Sequence, residues 1–160
     1  MARKILKKNL NFKFEPKWSL KSIHDKKNTE FINLKHQSLG LVSEKFSNEM
    51  VRRLTLQGVD DKVVLKAMME VQRHFFVDSA LSSRAYEDIA LPIGYKQTIS
   101  QPYVVARVVT LARKLTGLIS REKHNQGKVL EIGTGCGYQA AVMSRCFNNV
   151  YSIERIFGLY

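Results

Sequence analysis

Cysteine, histidine and acidic side chains are all scarce in this 160-residue chain, and each scarcity excludes something. Two cysteines, Cys136 and Cys146, cannot build a disulfide framework, and a reducing, cytoplasmic setting is expected. The four histidines, at 24, 36, 74 and 124, show no ligand spacing, so no metal is expected. No apolar run approaches the roughly 20 residues of a membrane helix, and none of signal-peptide length follows the basic start. Neither a membrane span nor a secretory leader is therefore expected. No His/Asp or Cys/His constellation suggests a nucleophilic triad. Asp and Glu number 14 against 26 Lys and Arg, a net charge of +12. Residues 1–40 hold ten of those bases against three acids, and so carry more than half of the surplus.

What the chain does have is a unit from Lys128 to Glu154, KVLEIGTGCGYQAAVMSRCFNNVYSIE. The apolar run Val129–Ile132 before a glycine cluster reads as a buried strand. Gly133, Gly135 and Gly137 alternate with Thr134 and Cys136, and Tyr138 to Cys146 is helical in character. Asn148 and Asn149 break that helix, and Val150–Ile153 reads as a second strand with Glu154 at its tip. Glycines allow positive φ and bring backbone N–H groups close to a ligand, and a helix start adds further free donors. An acid about 20 residues on can accept two hydrogen bonds from a ribose diol; here Glu154 lies 21 positions after Gly133. A single glycine would mean only a tight turn. Three glycines between a strand and a helix, with the acid in place, point to nucleoside binding.

Before that unit, residues 1–40 show no sustained period and read as a basic, poorly ordered extension. Trp18 among lysines is too little for a nucleic-acid platform. Residues 41–127 read as a helical cap followed by a segment of loop or short strands and a helix. Ser47–Gln57 is helix-like, with Met50, Val51 and Leu54 on one side and Gly58 as its stop. Asp60 or Asp61 can cap a second helix with an apolar stripe of Val64, Ala67, Met68 and Val71. Its methionines are core filler, and His74 packs or caps. Ala85–Pro102, AYEDIALPIGYKQTISQP, reads as loop or short strands. Pro102 then opens a helix to about Leu115, with Val104, Val108, Leu111, Ala112 and Leu115 as its buried face. Thr98 and Ser100 sit just before that helix, where a hydroxyl either caps it or faces a ligand; physics alone favours capping. Residues 116–127 form a polar connector.

The turn is G-x-G-x-G preceded by Glu131, not the dinucleotide G-x-G-x-x-G, and resembles the first motif of S-adenosylmethionine-dependent methyltransferases. AYEDIALPIGYKQTISQPYVVARV, followed by KVLEIGTGCGYQAAVMS and VYSIERI, closely resembles the protein-L-isoaspartate O-methyltransferase family, over roughly Gly40 to Tyr160. The resemblance implies an α/β fold: the N-terminal part of a Rossmann-like class I methyltransferase with a small helical cap. It implies methyl transfer from S-adenosylmethionine to the α-carboxyl of L-isoaspartyl residues in damaged proteins, which are then its partners. It further implies that Glu131, Gly133, Thr134, Gly135 and Gly137 line the cofactor and that Glu154 holds its ribose hydroxyls. Ser100 becomes the catalytic-site hydroxyl, with Gln97 and Thr98 beside it on the substrate side. The segment that follows the helical cap within residues 41–127 is by this resemblance the substrate and active-site part. Cys136 is then a small side chain tolerated near the cofactor.

The family's doubly wound sheet has about seven strands, and the match stops shortly after the second. The expectation is a truncated form, binding cofactor weakly and turning over little. Two other classes are weighed against this reading. A basic nucleic-acid-binding or RNA-modifying protein would show steep salt dependence through residues 1–40. A dinucleotide-dependent oxidoreductase would prefer NAD, against the G-x-G-x-G spacing and the TISQP segment. No specific nucleic acid and no membrane are expected as partners, and the sequence sets no oligomeric state.

Overall fold

The computed structural model describes residues 43–117 and 127–159. The basic extension and most of the expected connector lie outside the described residues. Helix α1 covers residues 43–56. Its end is a Schellman motif: Gly58 takes φ +89°, Val59 N–H donates to the Leu54 carbonyl at 3.0 Å, and Gly58 N–H to Thr55 at 3.0 Å. The apolar pair that accompanies this geometry, Leu54 and Val59, is buried.

Helix α2 (Lys62–Glu70) starts at Asp61, whose carboxylate accepts from Val63 N–H at 3.0 Å and Val64 N–H at 3.3 Å. The stripe Val64, Ala67, Met68 and Val71 is buried as its spacing requires. Short 3₁₀ turns at Arg73–Phe76 and Ser79–Arg84 lead into an antiparallel hairpin of β1 (Leu91–Gly94) and β2 (Gln97–Ile99). Its tip is made by Tyr95 and Lys96, with φ of +51° and +57°, as a primed turn demands of both central residues. Neither is glycine or asparagine, so the tip holds two side chains in a sparsely populated conformation.

Helix α3 (Pro102–Leu115) has proline in its first turn and receives a cap from Asp88, which accepts from Tyr103 N–H at 2.9 Å. Its buried face is not the expected one. Val105, Ala106, Val109, Thr110 and Arg113 are buried, whereas Val104, Val108 and Leu111 are 40–48 % exposed and Leu115 is 88 % exposed. Both faces carry valines at helical spacing, so hydropathy alone could not choose. The choice is made by Arg113, whose Nε donates to Asp61 at 2.7 Å and whose Nη1 donates to the Cys146 carbonyl at 3.2 Å. A buried arginine is invisible to a reading that places charges outside.

Strand β3 (Lys128–Ile132) pairs in parallel with β4 (Asn149–Ile153), Lys128 opposite Asn149 through Ile132 opposite Ile153. Between them runs α4 (Tyr138–Cys146), completing the expected β–α–β unit. The strand is covered on one face only among the described residues. Glu131, Val150 and Ser152 are buried, while Leu130 and Ile132 are 56 % and 82 % exposed. The run read as a buried strand is thus buried only at alternate positions: α4 packs against one side of a two-stranded sheet. A continuous apolar core joins Met50, Leu54 and Met68 of the first helices to Val105, Tyr138, Val142 and Phe147.

Candidate active site

The glycine turn connects β3 to α4. Gly133, Gly135 and Gly137 have φ of +94°, +55° and +86°, so alanine would be strained at all three. The turn closes on the neighbouring strand: Gly133 and Thr134 N–H donate to the Ile153 carbonyl at 2.7 and 3.2 Å. Above it sits the β1–β2 hairpin, where Ile93 Cδ1 is 3.3 Å from the position a Gly135 Cβ would take. Gly135 is therefore required by its backbone conformation, and a side chain there would also press on Ile93.

Ile99, leading into the serine segment, is buried, while Thr98 and Ser100 on either side are exposed. This alternation turns both hydroxyls away from the core. A pocket lies between this segment and the turn, lined by Thr98, Ser100, Glu131, Gly133, Thr134 and Gly135, with Ile99, Val105, Cys136, Tyr138 and Gln139. Six of the residues singled out from the sequence thus share one pocket. Gly137, the residue preceding α4, and Glu154 are not part of its lining. Gln97 is turned away, its amide donating to the Lys96 carbonyl at 3.1 Å at the hairpin tip. Ser100 does not cap α3: the cap residue is Gln101, without a side-chain bond, and the hydrogen bond comes from Asp88.

The two acids differ in state. Glu131 is buried on β3 and accepts from Ser152 Oγ on the paired strand and from Gln139 Nε2 at 2.9 Å. Burial pushes its carboxyl above the usual range, and the two hydrogen bonds only partly counter this. Thr134 Oγ1 joins the same network through Ser152 Oγ at 2.5 Å. Glu154 is near solvent. One of its oxygens accepts from Gly135 N–H at 2.8 Å and the other from Arg155 and Ile156 N–H, both at 2.8 Å. These N–H donors, Gly135 foremost, hold its pKa below the usual value. The carboxylate offers about four acceptor positions, so the oxygen facing Gly135 retains capacity for a ligand hydroxyl.

Cys136, half-buried in the turn, has its thiol pKa raised by burial, so it is not an activated nucleophile. His74 pairs with Tyr86 through Nδ1 at 2.7 Å and packs as expected. Among the described residues no cluster of three metal-ligating side chains exists, and no helix is long and apolar enough to cross a membrane. Sequence reasoning missed Arg73, Ser152 and Gln139. Ser152 could have been found, because parallel pairing of the two strands sets it opposite Glu131. Arg73 gave no signal.

Residues 44–160 match the family model of protein-L-isoaspartate(D-aspartate) O-methyltransferase (PCMT). The chain belongs to this family. A protein-L-isoaspartate O-methyltransferase of Bordetella petrii is 54 % identical over 123 residues, which are 77 % of this chain and 42 % of that protein. That of Nitrosomonas eutropha is 51 % identical over 125 residues, 78 % of this chain and 54 % of the relative. The chain therefore spans about half the length of the curated relatives it matches. Among solved structures, a protein-L-isoaspartate O-methyltransferase superposes with a TM-score of 0.56 at 34 % identity, covering 71 % of this chain and 35 % of the other. A second, described as a beta-aspartate methyltransferase (PCMT) from Plasmodium falciparum in complex with S-adenosyl-L-homocysteine, gives 0.54 at 26 % identity. It is covered to 50 %, by 71 % of this chain. The α/β fold expected for the family is thereby established for the described residues.

Proposed function

We propose that this chain carries the cofactor turn and the serine segment of a repair methyltransferase acting on the α-carboxyl of L-isoaspartyl residues in damaged proteins. The observation that carries the reading is one pocket bounded by the Thr98–Ser100 hydroxyls on one wall and the Gly133–Gly135 turn on the other. S-adenosylmethionine, when bound, supplies an activated methyl group. The turn fits such a ligand: its N–H groups are already bonded within the protein, but a side chain at Gly133 would stand in open space, so the glycine leaves room against the backbone. Glu154 has acceptor capacity, and Thr134 is held in the Ser152–Glu131 network.

The residues need only bind and align. A substrate carboxylate with an ordinary pKa near ~4 is already ionised at neutral pH, so no general base is required. Transfer from a sulfonium releases a neutral thioether, so no acid is required either. A pocket without an activated base or nucleophile suits that reaction. Ser100 Oγ can donate to the substrate carboxylate and orient it, with Thr98 beside it. Glu131, Gly133, Thr134, Gly135 and Gly137 are the cofactor side, with Glu154 for the ribose; Gln97, its amide held at the hairpin tip, is left out of the substrate side. Alignment in well-oriented cases contributes roughly 7–11 kcal/mol. We place this activity in the cytoplasm, a setting in which Cys136 and Cys146 remain free thiols, as they are here.

Calorimetric titration of the purified chain with S-adenosylhomocysteine tests the reading. Saturable binding is expected, weakened at least about 10-fold (~1.4 kcal/mol) by Glu154→Ala, because a hydrogen bond to a charged group is worth ~1.5–3 kcal/mol. Methyl transfer should be confined to an isoaspartyl peptide, with none to its aspartyl isomer. Preference for NAD, or binding indifferent to Glu154, would overturn it.

A further inference from the structure

We infer that Arg73 is a positioning residue that fixes the Ser100 segment against the glycine turn, an assignment resting on the methyl-transfer reading above. Its side chain is fully buried, at 0 % exposure. Nε donates to the Ala85 carbonyl at 2.7 Å and Nη2 to the Ser100 carbonyl at 2.8 Å. The guanidinium carbon lies 4.7 Å from the centroid of the Tyr138 ring. Tyr138 is the first residue of α4, directly after Gly137. One planar group therefore holds the backbone of the hydroxyl segment and stacks on the residue that anchors the cofactor turn.

The arrangement is costly for a merely structural position. No carboxylate stands within ion-pair distance of Arg73 among the described residues; Asp88 acts on it only from farther away. Nη1 has no hydrogen-bond partner, although it is buried. An apolar side chain of similar volume would fill such a space at lower cost. What an apolar residue cannot do is bind two carbonyls from separate segments while facing an aromatic ring. Lysine cannot do it either, because its single ammonium lacks the rigid fork. The geometry thus couples the two walls of the pocket: movement of the turn at Tyr138 is transmitted to Ser100 through one side chain.

Hydrogen–deuterium exchange on the full 160-residue chain, with and without S-adenosylhomocysteine, tests this in wild type and Arg73→Lys. Without ligand, Arg73→Lys should exchange at least about 10-fold faster in both residues 97–101 and 135–139, while α2 stays within about twofold of wild type. With ligand, both segments should slow together in wild type, but only the turn in the variant. Unchanged exchange at 97–101, or acceleration spread equally through α2 as global destabilisation or failure to fold would give, overturns the assignment. If S-adenosylhomocysteine protects nothing in wild type, the methyl-transfer reading fails, and the ligand-free comparison still decides whether Arg73 couples the segments.

Discussion

Glu131 holds a carboxylate in a place where burial works against its charge. Its pKa is raised, chiefly by desolvation, above the 4.5 of the unfolded chain. For an acid shifted upward, the protonated form is favoured by folding. Its contribution to stability is full below the unfolded value and declines as pH rises through the folded value. At neutral pH the ionised group costs stability that Ser152 and Gln139 only partly return. Glu131→Gln should therefore raise the melting temperature at pH 7.5 by a few degrees (~3 °C), with the gain disappearing near pH 4. Thermal melts at the two pH values check it, and a variant less stable at pH 7.5 would show that the hydrogen bonds outweigh the burial. Glu154 is the opposite case, with its pKa held down by Gly135, Ile156 and Arg155 N–H. Its stabilising contribution is present above pH 4.5 and fades only as pH falls through its lowered value.

Between elements, the decisive contact is the Asp61–Arg113 pair. Both side chains are 4 % exposed, and the pair ties the start of α2 to the last turn of α3 and, through Cys146, to the end of α4. Asp61→Ala leaves Arg113 buried and unpaired and removes the α2 cap as well. A loss of about 3–5 kcal/mol in urea unfolding is expected. Asp61→Leu combined with Arg113→Met should recover much of that loss, which a purely additive pair of defects would not do. The same arginine explains where the sequence was readable. The α2 cap, which the sequence left between Asp60 and Asp61, the proline in the first turn of α3, the Gly58 stop, the α2 stripe and the β–α–β unit are local signals written in spacing and turn chemistry, and they appear in the structure. The buried side of α3 depends on a partner 52 residues away, and local hydropathy pointed to the wrong valines. On the observed face, Leu111→Lys should change stability by less than about 0.5 kcal/mol, whereas Val109→Ala should cost roughly 1–2. The pocket was similarly half legible: its glycines and hydroxyls stood out, but the Arg73 strut and the Ser152 link are relations between segments.

Over the whole molecule, apolar surface and charge oppose one another. Leu130, Ile132 and Ile153 lie on the face of β3 and β4 that no other element covers among the described residues, at 56 %, 82 % and 39 % exposure. Val104, Val108, Leu111 and Leu115 form a second apolar strip along α3. Exposed strands with apolar faces favour association with other chains, and patches of this kind rarely stay bare. The net charge of +12 acts against association by mutual repulsion. That repulsion has a range of about 30 Å at 0.01 M salt but only ~3 Å at 1 M, whereas burial of apolar surface does not weaken in salt. Association of the chain should therefore increase with ionic strength, the reverse of complexes held by charge pairs. Sedimentation velocity at 50 mM and 500 mM NaCl reads this directly, with larger species expected at the higher salt. Ile132→Lys with Leu115→Lys should suppress them, since each places a charge in one of the two patches. If association instead falls as salt rises, contacts between charged groups hold the copies together and the apolar faces are not what joins them.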